Sequence, residues 1–462
     1  MGTRAVPVAV GDVVDLRIDE IVAGGEGLGR LGTYAIFVPY GAPGDVVRAR
    51  VISTKPGYAR ALVSEILEPG PGRIAPPCRV YGACGGCQLQ HLAYPEQLAV
   101  KEAMVRDALA RIAKIATASL VRPIAGMAEP WFYRNKAHWA VSRVGNKLAL
   151  GLFEPRSHKV VEPDPCQIQH PLLNLVLSFL RRELPAFGLA VYDERSGKGF
   201  LRSCFAKVAH ATDELMIGLV GTTSRLPASE VFVAAVRESF PDARSVVLNV
   251  QPERSNVLLG PRTEVLWGEA FITERIGDAS FRLSPRSFFQ VNPLQTAVLY
   301  DHVRALAAPA GGETVVDAYC GTGTIALALA GAAGEVWGLE SEPAAVADAQ
   351  ANARLNSVEN AHFLAGRVEE RLPKLIKDGL LPDVVVLDPP RRGCDPAVIA
   401  AIAQARPVRV VYVSCNPATL ARDLAAFREA GYGPTLVQPV DMFPQTAHVE
   451  AVALLEPARK LP

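Results

Sequence analysis

From Val10 to about Glu68 apolar and polar residues alternate in short runs broken by Gly and Pro. Val13-Val14-Asp15-Leu16-Arg17-Ile18, Tyr34-Ala35-Ile36-Phe37-Val38 and Val46-Val47-Arg48-Ala49-Arg50-Val51 each fit a strand of about five or six residues. In the first run, Val14, Leu16 and Ile18 face a core while Asp15 and Arg17 face water. Gly24, Gly25, Gly27 and Gly29 lie between the first two runs and Gly41-Ala42-Pro43-Gly44 between the next two, and both groups read as turns. Closely spaced short strands of this kind predict a small closed barrel of the OB type over residues 1–70, a fold that removes exposed edges and often binds oligonucleotides.

Pro69-Gly70-Pro71-Gly72 then breaks the pattern, and Glu96 to Ile112 reads as a helix with Pro95 in its first turn. Strand-like runs return from Trp131 to Arg143 and from Leu148 to Phe153. After about residue 310, apolar runs buried on both faces (314–318, 335–339, 383–387, 408–413) alternate with helical patterns over 343–356, 396–405 and 417–430. That alternation predicts a parallel, doubly wound α/β sheet. Two last strands, Thr435 to Val440 and Val449 to Leu455, are joined by a loop containing Pro444. The expected organisation is an OB-like barrel (1–70), an α+β central domain (71–285) and an α/β catalytic domain (286–462).

At 462 residues there is room for about three domains of ~150 residues. The 48 Lys and Arg nearly balance the 47 Asp and Glu, which excludes a uniformly basic coat protein but not a local basic face. Such a face is present: residues 131–160 carry six cations against the single acid Glu154, interleaved with Trp131, Phe132, Tyr133, Trp139 and Phe153. Cations attract phosphates and rings stack on bases, so this stretch reads as an RNA-facing surface. The longest apolar run, Ile325 to Gly334, falls short of the ~18 residues of a membrane span, and Met1-Gly2-Thr3-Arg4 has no secretory core. A soluble, cytoplasmic protein with no membrane partner is expected.

The candidate chemistry begins where the first α/β strand ends, at Asp317-Ala-Tyr-Cys-Gly321-Thr-Gly323-Thr324. Glycines let a backbone approach a ligand closely, but Ala326 replaces the third glycine of a dinucleotide fingerprint. Glu340 ends the next strand, 19 residues after Gly321, where a carboxylate can hold ribose hydroxyls. Asp388 opens Asp388-Pro-Pro-Arg391 at the end of a later strand. The acids Asp317, Glu340 and Asp388 suit a cationic sulfonium better than a pyrophosphate, so S-adenosylmethionine (SAM) is favoured over NAD. Cys415, in Ser414-Cys415-Asn416-Pro417, closes the next strand just before a helix whose N-terminus favours a thiolate. A thiolate and a base are what C5 methylation of uracil needs. The thiolate adds at C6 so that C5 becomes nucleophilic, and the base removes the C5 proton. Glu450, in Thr446-Ala-His-Val-Glu450, is the candidate base.

Cys78, Cys84 and Cys87 cluster within ten residues, and Cys166 is the expected fourth thiolate of a tetrahedral zinc or [4Fe–4S] site. The spacing does not separate the two metals. Cys204 and Cys394 are rival candidates for ligand and nucleophile; Cys204 lies in a predicted strand with no neighbouring motif, Cys394 follows Arg391-Arg-Gly393 in a loop, and both read as non-catalytic.

The runs Ser287-Phe-Phe-Gln-Val-Asn292, Asp388-Pro-Pro-Arg391, Ser414-Cys-Asn-Pro417 and Asp441-Met-Phe-Pro-Gln-Thr-Ala-His-Val-Glu450 resemble those of the class I SAM-dependent RNA 5-methyluridine methyltransferases. These enzymes carry an N-terminal TRAM domain and an iron–sulfur cluster, and the resemblance is strongest to those acting on bacterial 23S ribosomal RNA. It implies Cys415 as nucleophile, Glu450 as base, and SAM contacts from Gln290, Tyr319, Thr324, Glu340 and Asp388. It also implies a [4Fe–4S] cluster on Cys78, Cys84, Cys87 and Cys166. Arg367 falls near a further expected contact but matches no motif. The expected partner is 23S ribosomal RNA, with transfer RNA as alternative, and the expected state is a monomer. Two rival readings are a cytosine-C5 methyltransferase, which uses the same thiolate attack, and a non-catalytic RNA-binding or assembly protein with a structural cluster.

Overall fold

The computed structural model describes residues 6–145 and 147–458; the N-terminal residues read above for a signal lie outside them. Strands β1 (Val13–Ile21), β2 (Glu26–Leu31), β3 (Tyr34–Pro39), β4 (Val46–Lys55) and β5 (Tyr58–Glu68) close into a barrel in the order β1-β2-β3-β5-β4. Leu16 and Ile18 point into its core with Ile36, Val38, Val47, Ala49, Val51, Ala59 and Ala61, while Val14 is only half-buried. The glycine run is not all turn. Gly27 and Gly29 lie inside β2, where a Cβ on Gly29 would stand 2.5 Å from both Arg17 O and Leu16 Cδ1. Barrel closure brings β1 so near that only glycine fits.

Helix α1 (Tyr94–Ala108) runs into a single π turn, Leu109–Ala113, rather than continuing as α-helix to Ile112. A seven-stranded sheet follows, built from β6 (Lys136–Val144), β7 (Lys147–Phe153), β8 (Val160–Val161), β9 (Leu201–Val208), β10 (Leu215–Gly221), β11 (Ala243–Val250) and β12 (Arg262–Gly268) in the order β12-β11-β10-β9-β6-β7-β8. Helices α2 (Pro171–Glu183) and α3 (Ser229–Ser239) cover it, packing Leu177, Leu180 and Phe232 with Trp139 and Leu219. The hairpin β13 (Ile272–Ile276) and β14 (Ala279–Leu283) is tied to the last domain by Asn352 and Asn356, whose amide oxygens accept from Arg282 N (2.8 Å) and Ser280 N (2.7 Å).

After α4 (Pro293–Ala307) the chain alternates β15 (Thr314–Ala318), α5 (Thr324–Ala330), β16 (Glu335–Glu340), α6 (Pro343–Leu355), β17 (Ala361–Ala365), α7 (Val368–Lys377), β18 (Val384–Leu387), α8 (Pro396–Ala405), β19 (Arg409–Ser414) and α9 (Pro417–Glu429). β20 (Tyr432–Val440) and β21 (Glu450–Pro457) complete a sheet in the order β17-β16-β15-β18-β19-β21-β20. The first five strands are parallel and β21 is antiparallel to β19. Strand order reverses between β15 and β18, and such a switch opens a crevice at the carboxyl ends of the strands.

The expected units share packing. The turn after α1 lies against α9 in one core with Val105, Leu109 and Phe427. Val121 and Ala125 form bridges to Val437 and Val440, which covers the β20 edge of this last sheet. Residues 94–125, placed by sequence in the central unit, therefore pack with the last one. Among the described residues no helix is long and apolar enough to cross a membrane.

Candidate active site

The loop leaving β15 is wound by three positive φ angles, Tyr319 (+71°), Gly321 (+55°) and Gly323 (+81°), before α5 begins at Thr324. A Cβ on Gly323 would come within 2.9 Å of the Phe363 ring and 3.0 Å of Ala349, so glycine permits both the turn and the close packing. The parallel register Ala318↔Leu339 sets Glu340 beside this loop, where its Oε2 accepts from Gly321 N (3.1 Å). Tyr300 and Thr324 share a hydroxyl–hydroxyl bond of 2.7 Å. Below the loop, Asp317 is fully buried with no hydrogen-bond partner for either carboxylate oxygen. Burial, then the neighbouring Asp388, pushes it up to about 8. Burial likewise pushes Asp388 up to about 7.

The candidate nucleophile and base are brought together by strand pairing. β19 and β21 run antiparallel with Ser414 opposite Ala451, so the next step in each chain puts Cys415 beside Glu450. Asn416 caps α9, its side chain accepting from Ala418 N (3.1 Å), and so fixes the turn that carries the thiol. The expectation that the α9 N-terminus keeps Cys415 as a thiolate is corrected for the free pocket. Burial first, then the acids Glu450 and Asp388, push the thiol up to about 11, with Arg391 opposing. Burial and Asp388 also raise Glu450 well above the usual carboxylate range, again against Arg391.

One cavity of about 800 Å³ collects Gln290, Tyr319, Thr324, Glu340, Asp388, Cys415 and Glu450. Arg367 also lines it, its guanidinium held by Glu369 at 2.6 Å. Sequence reasoning gave no role to Asp348, Phe443 or His448, which share the wall. Asp348 accepts from Ser287 Oγ (2.6 Å), and its place on an otherwise ordinary helix face left no signal in the chain. His448 and Phe443 stand inside a quoted motif, which was the available clue.

A second cavity, about 230 Å³, is lined by Cys78, Cys84, Cys87 and Cys166. All four are free thiols, and three are buried. Burial leads in raising Cys84, Cys87 and Cys166, and the nearby cysteines of the same set add to it. Among the described residues no group of three or more such side chains is gathered closely enough to hold a metal ion. Cys204 is fully buried in β9, and Cys394 is buried beside Tyr319 and Tyr412.

A family model described as tRNA (uracil-5-)-methyltransferase matches residues 272–458, and a TRAM domain model matches 7–63. An RNA methyltransferase of Halalkalibacterium halodurans, named as uncharacterized, is 44% identical over 456 residues, covering 99% of each chain. The chain belongs to the RNA (uracil-5)-methyltransferase family. A similarly named RNA methyltransferase of Clostridium acetobutylicum is 40% identical over 454 residues, 98% of this chain and 99% of the relative. Among solved structures, the Pyrococcus abyssi tRNA (uracil-54, C5)-methyltransferase in complex with S-adenosyl-L-homocysteine superposes with a TM-score of 0.76. It is 29% identical, with 95% of this chain and 99% of that chain covered. The C-terminal fold is that of the SAM-dependent methyltransferases, and the N-terminal barrel is OB-like.

In this RNA methyltransferase the basic, aromatic stretch is partly core. Trp139 and Tyr133 are buried, whereas Phe132 and Phe153 are exposed with Arg143, Lys147, Arg156 and Lys159. The barrel of this family member neutralises much of its own charge. Arg30 pairs with Asp19, Arg48 with Asp15 and Glu65, and Arg60 with Glu26.

Proposed function

We propose that this chain methylates C5 of a uridine in RNA, with Cys415 as nucleophile and Glu450 as base. The observation that carries the reading is the antiparallel β19–β21 register, which seats a thiol and a buried carboxylate side by side in the large cavity. Cys415 loses its proton to solvent and its sulfur bonds to C6, leaving C5 as an enolate carbon. SAM, when bound, would supply the methyl group that C5 takes up, its S–methyl bond breaking as the sulfonium becomes a neutral thioether. Glu450 then takes the C5 proton, the C5–C6 double bond re-forms and the thiolate leaves. Arg391 is the cation that favours the charged form of both groups.

The pocket suits a cationic donor on its own evidence. Glu340 and Asp388 line it, and Asp317, fully buried with two unpartnered oxygens, lies beside Asp388 outside the cavity lining. Gln290, Tyr319, Thr324, Glu340 and Asp388 would hold the donor. A uridine must leave its stack to reach Cys415, at a cost of a few kcal/mol. Phe132 and Phe153, both exposed, would with their neighbouring cations help offset that cost.

The four-cysteine cavity fits a [4Fe–4S] cluster better than zinc. A tetrahedral zinc draws sulfurs to within about 3.8 Å of one another. Here four free thiols instead surround about 230 Å³ without closing on one point. A cluster held there would cross-link the 78–87 loop to Cys166. The RNA is read as 23S ribosomal RNA from the motif resemblance. Transfer RNA is the second reading, favoured by the substrate of the Pyrococcus abyssi neighbour.

The test is incubation with RNA carrying 5-fluorouridine. Fluorine cannot leave as a cation, so the wild type should form an adduct stable to denaturants, and Cys415→Ala should form none. Mass spectrometry of RNA from a deletion strain should show loss of 5-methyluridine at one or more mapped sites. An adduct that survives Cys415→Ala, or loss of 5-methylcytidine instead, would overturn the assignment.

A further inference from the structure

The loop between β20 and β21 forms part of the catalytic wall through Phe443 and His448 and then runs into Glu450. Within the last domain, Asn292 Nδ2 donates to Met442 O (3.1 Å) and Gln295 Nε2 to Asp441 O (3.1 Å). The rest of the loop is gripped from outside that domain. On α1, Lys101 Nζ donates to Asp441 Oδ1 (2.6 Å) and Phe443 O (2.9 Å), and both members of this ion pair are fully buried. Tyr94 OH donates to Asp441 Oδ2 at 2.9 Å.

The grip converges on Gln445. This residue adopts φ +71°, a left-handed conformation unusual for a side chain with a Cβ, and is 1% exposed. Its N–H donates to Gln97 Oε1 (2.9 Å), and its own Oε1 accepts from Gln97 Nε2 (2.9 Å). Its carbonyl accepts from Gln88 N (3.1 Å) and Leu89 N (3.0 Å), directly after Cys87. A buried residue in an unfavourable backbone conformation stays there only while its partners hold it. Tyr94, Gln97 and Lys101 are spaced by three and four residues, so one face of α1 performs most of this work.

We propose that Gln97, acting through Gln445, is a positioning residue that holds the Glu450 side of the cavity in register with Cys415. The inference rests on the reaction proposed above. Proton removal by Glu450 is its last step, so loosening this wall stalls the enzyme after methyl transfer. The stalled species has sulfur bonded to C6 and both hydrogen and methyl on C5. A misplaced carboxylate cannot take that hydrogen as a proton, and the thiolate cannot leave.

The experiment compares wild type, Gln97→Leu and Gln97→Glu with radiolabelled SAM and unmodified RNA from a deletion strain. Gln97→Leu should transfer the first methyl group at near the wild-type rate and then turn over at least tenfold more slowly. A labelled protein–RNA adduct stable in denaturing gels should accumulate, and the KM for SAM should stay within twofold. Gln97→Glu keeps the acceptor for Gln445 N–H and should show the same adduct at a lower level, so a poorly folded Leu variant does not end the test. Unchanged turnover in both variants would overturn the proposal. So would parallel loss of the first turnover and steady state with no adduct. If the wild type fails to trap 5-fluorouridine RNA, the reaction itself is wrong. If it traps RNA while the Gln97 variants turn over without accumulation, only the positioning role falls.

Discussion

Replacing Asp317 by Asn should change how the stability of the donor-free protein depends on pH. Asp317 lies wholly inside the sheet with two unpartnered oxygens, and its carboxyl is pushed from 3.8 to about 8. Asp388 is pushed from 3.8 to about 7. Both shifts are upward, so each group contributes stability that is fully present below the unfolded value and is lost as pH rises through the folded one. Between pH 5 and 6 the unfolded chain has released both protons and the folded chain keeps both. The last domain therefore loses one proton's worth of linkage per pH unit for each group, or about 3 kcal/mol for the two. Asp317→Asn removes one of these titrations and should halve that slope. Over the whole window from 3.8 to about 8, Asp317 is worth at most about 6 kcal/mol. Native-state hydrogen exchange of the β15 and β18 amides at pH 5, 6, 7 and 8, corrected for intrinsic exchange, isolates this domain from the other units. Other titrations are common to both proteins and cancel in the difference. A difference between variant and wild type that stays flat with pH would refute the assignment of the buried proton to Asp317.

Arg391 opposes the upward shifts of both Cys415 and Glu450, and in the proposed reaction both groups act in their deprotonated forms. The wild-type kcat/KM should rise with pH, Arg391→Met should move that rise to higher pH, and the two profiles should converge at the alkaline end; coincident profiles would remove Arg391 from the mechanism. Protein purified without oxygen should contain about four irons per chain and absorb near ~400 nm. Cys166→Ser should lower both readings, whereas a colourless, zinc-loaded wild type would reverse the choice of metal. Gly29→Ala drives a Cβ to 2.5 Å from Arg17 O inside the barrel and should destabilise it by about 1–3 kcal/mol in urea unfolding. An unaltered midpoint would show that β1 and β2 can move apart.

The chain itself determined the things that are local and periodic. Alternation at Leu16 and Ile18 gave the barrel strand its inward face, and long doubly apolar runs gave the parallel sheet, because burial on one face or two leaves a period in the sequence. Short motifs at the ends of parallel strands likewise pointed to Glu340, Asp388 and Cys415, which line one cavity with Glu450 at the start of antiparallel β21. Other features required the packed molecule. Gly29 sits in a strand because of a neighbour twelve residues away, and Trp139 is core instead of stacking surface because α2 and α3 cover its sheet. The state of the Cys415 thiol was decided by burial and by two acids, Asp388 and Glu450, that lie 27 and 35 positions away in the chain. Gln97 and Gln445 stand 348 residues apart and meet only after α1 has docked on the last domain. Pattern records what a residue's own segment must bury, whereas charge state and long-range grip depend on which segments arrive beside it.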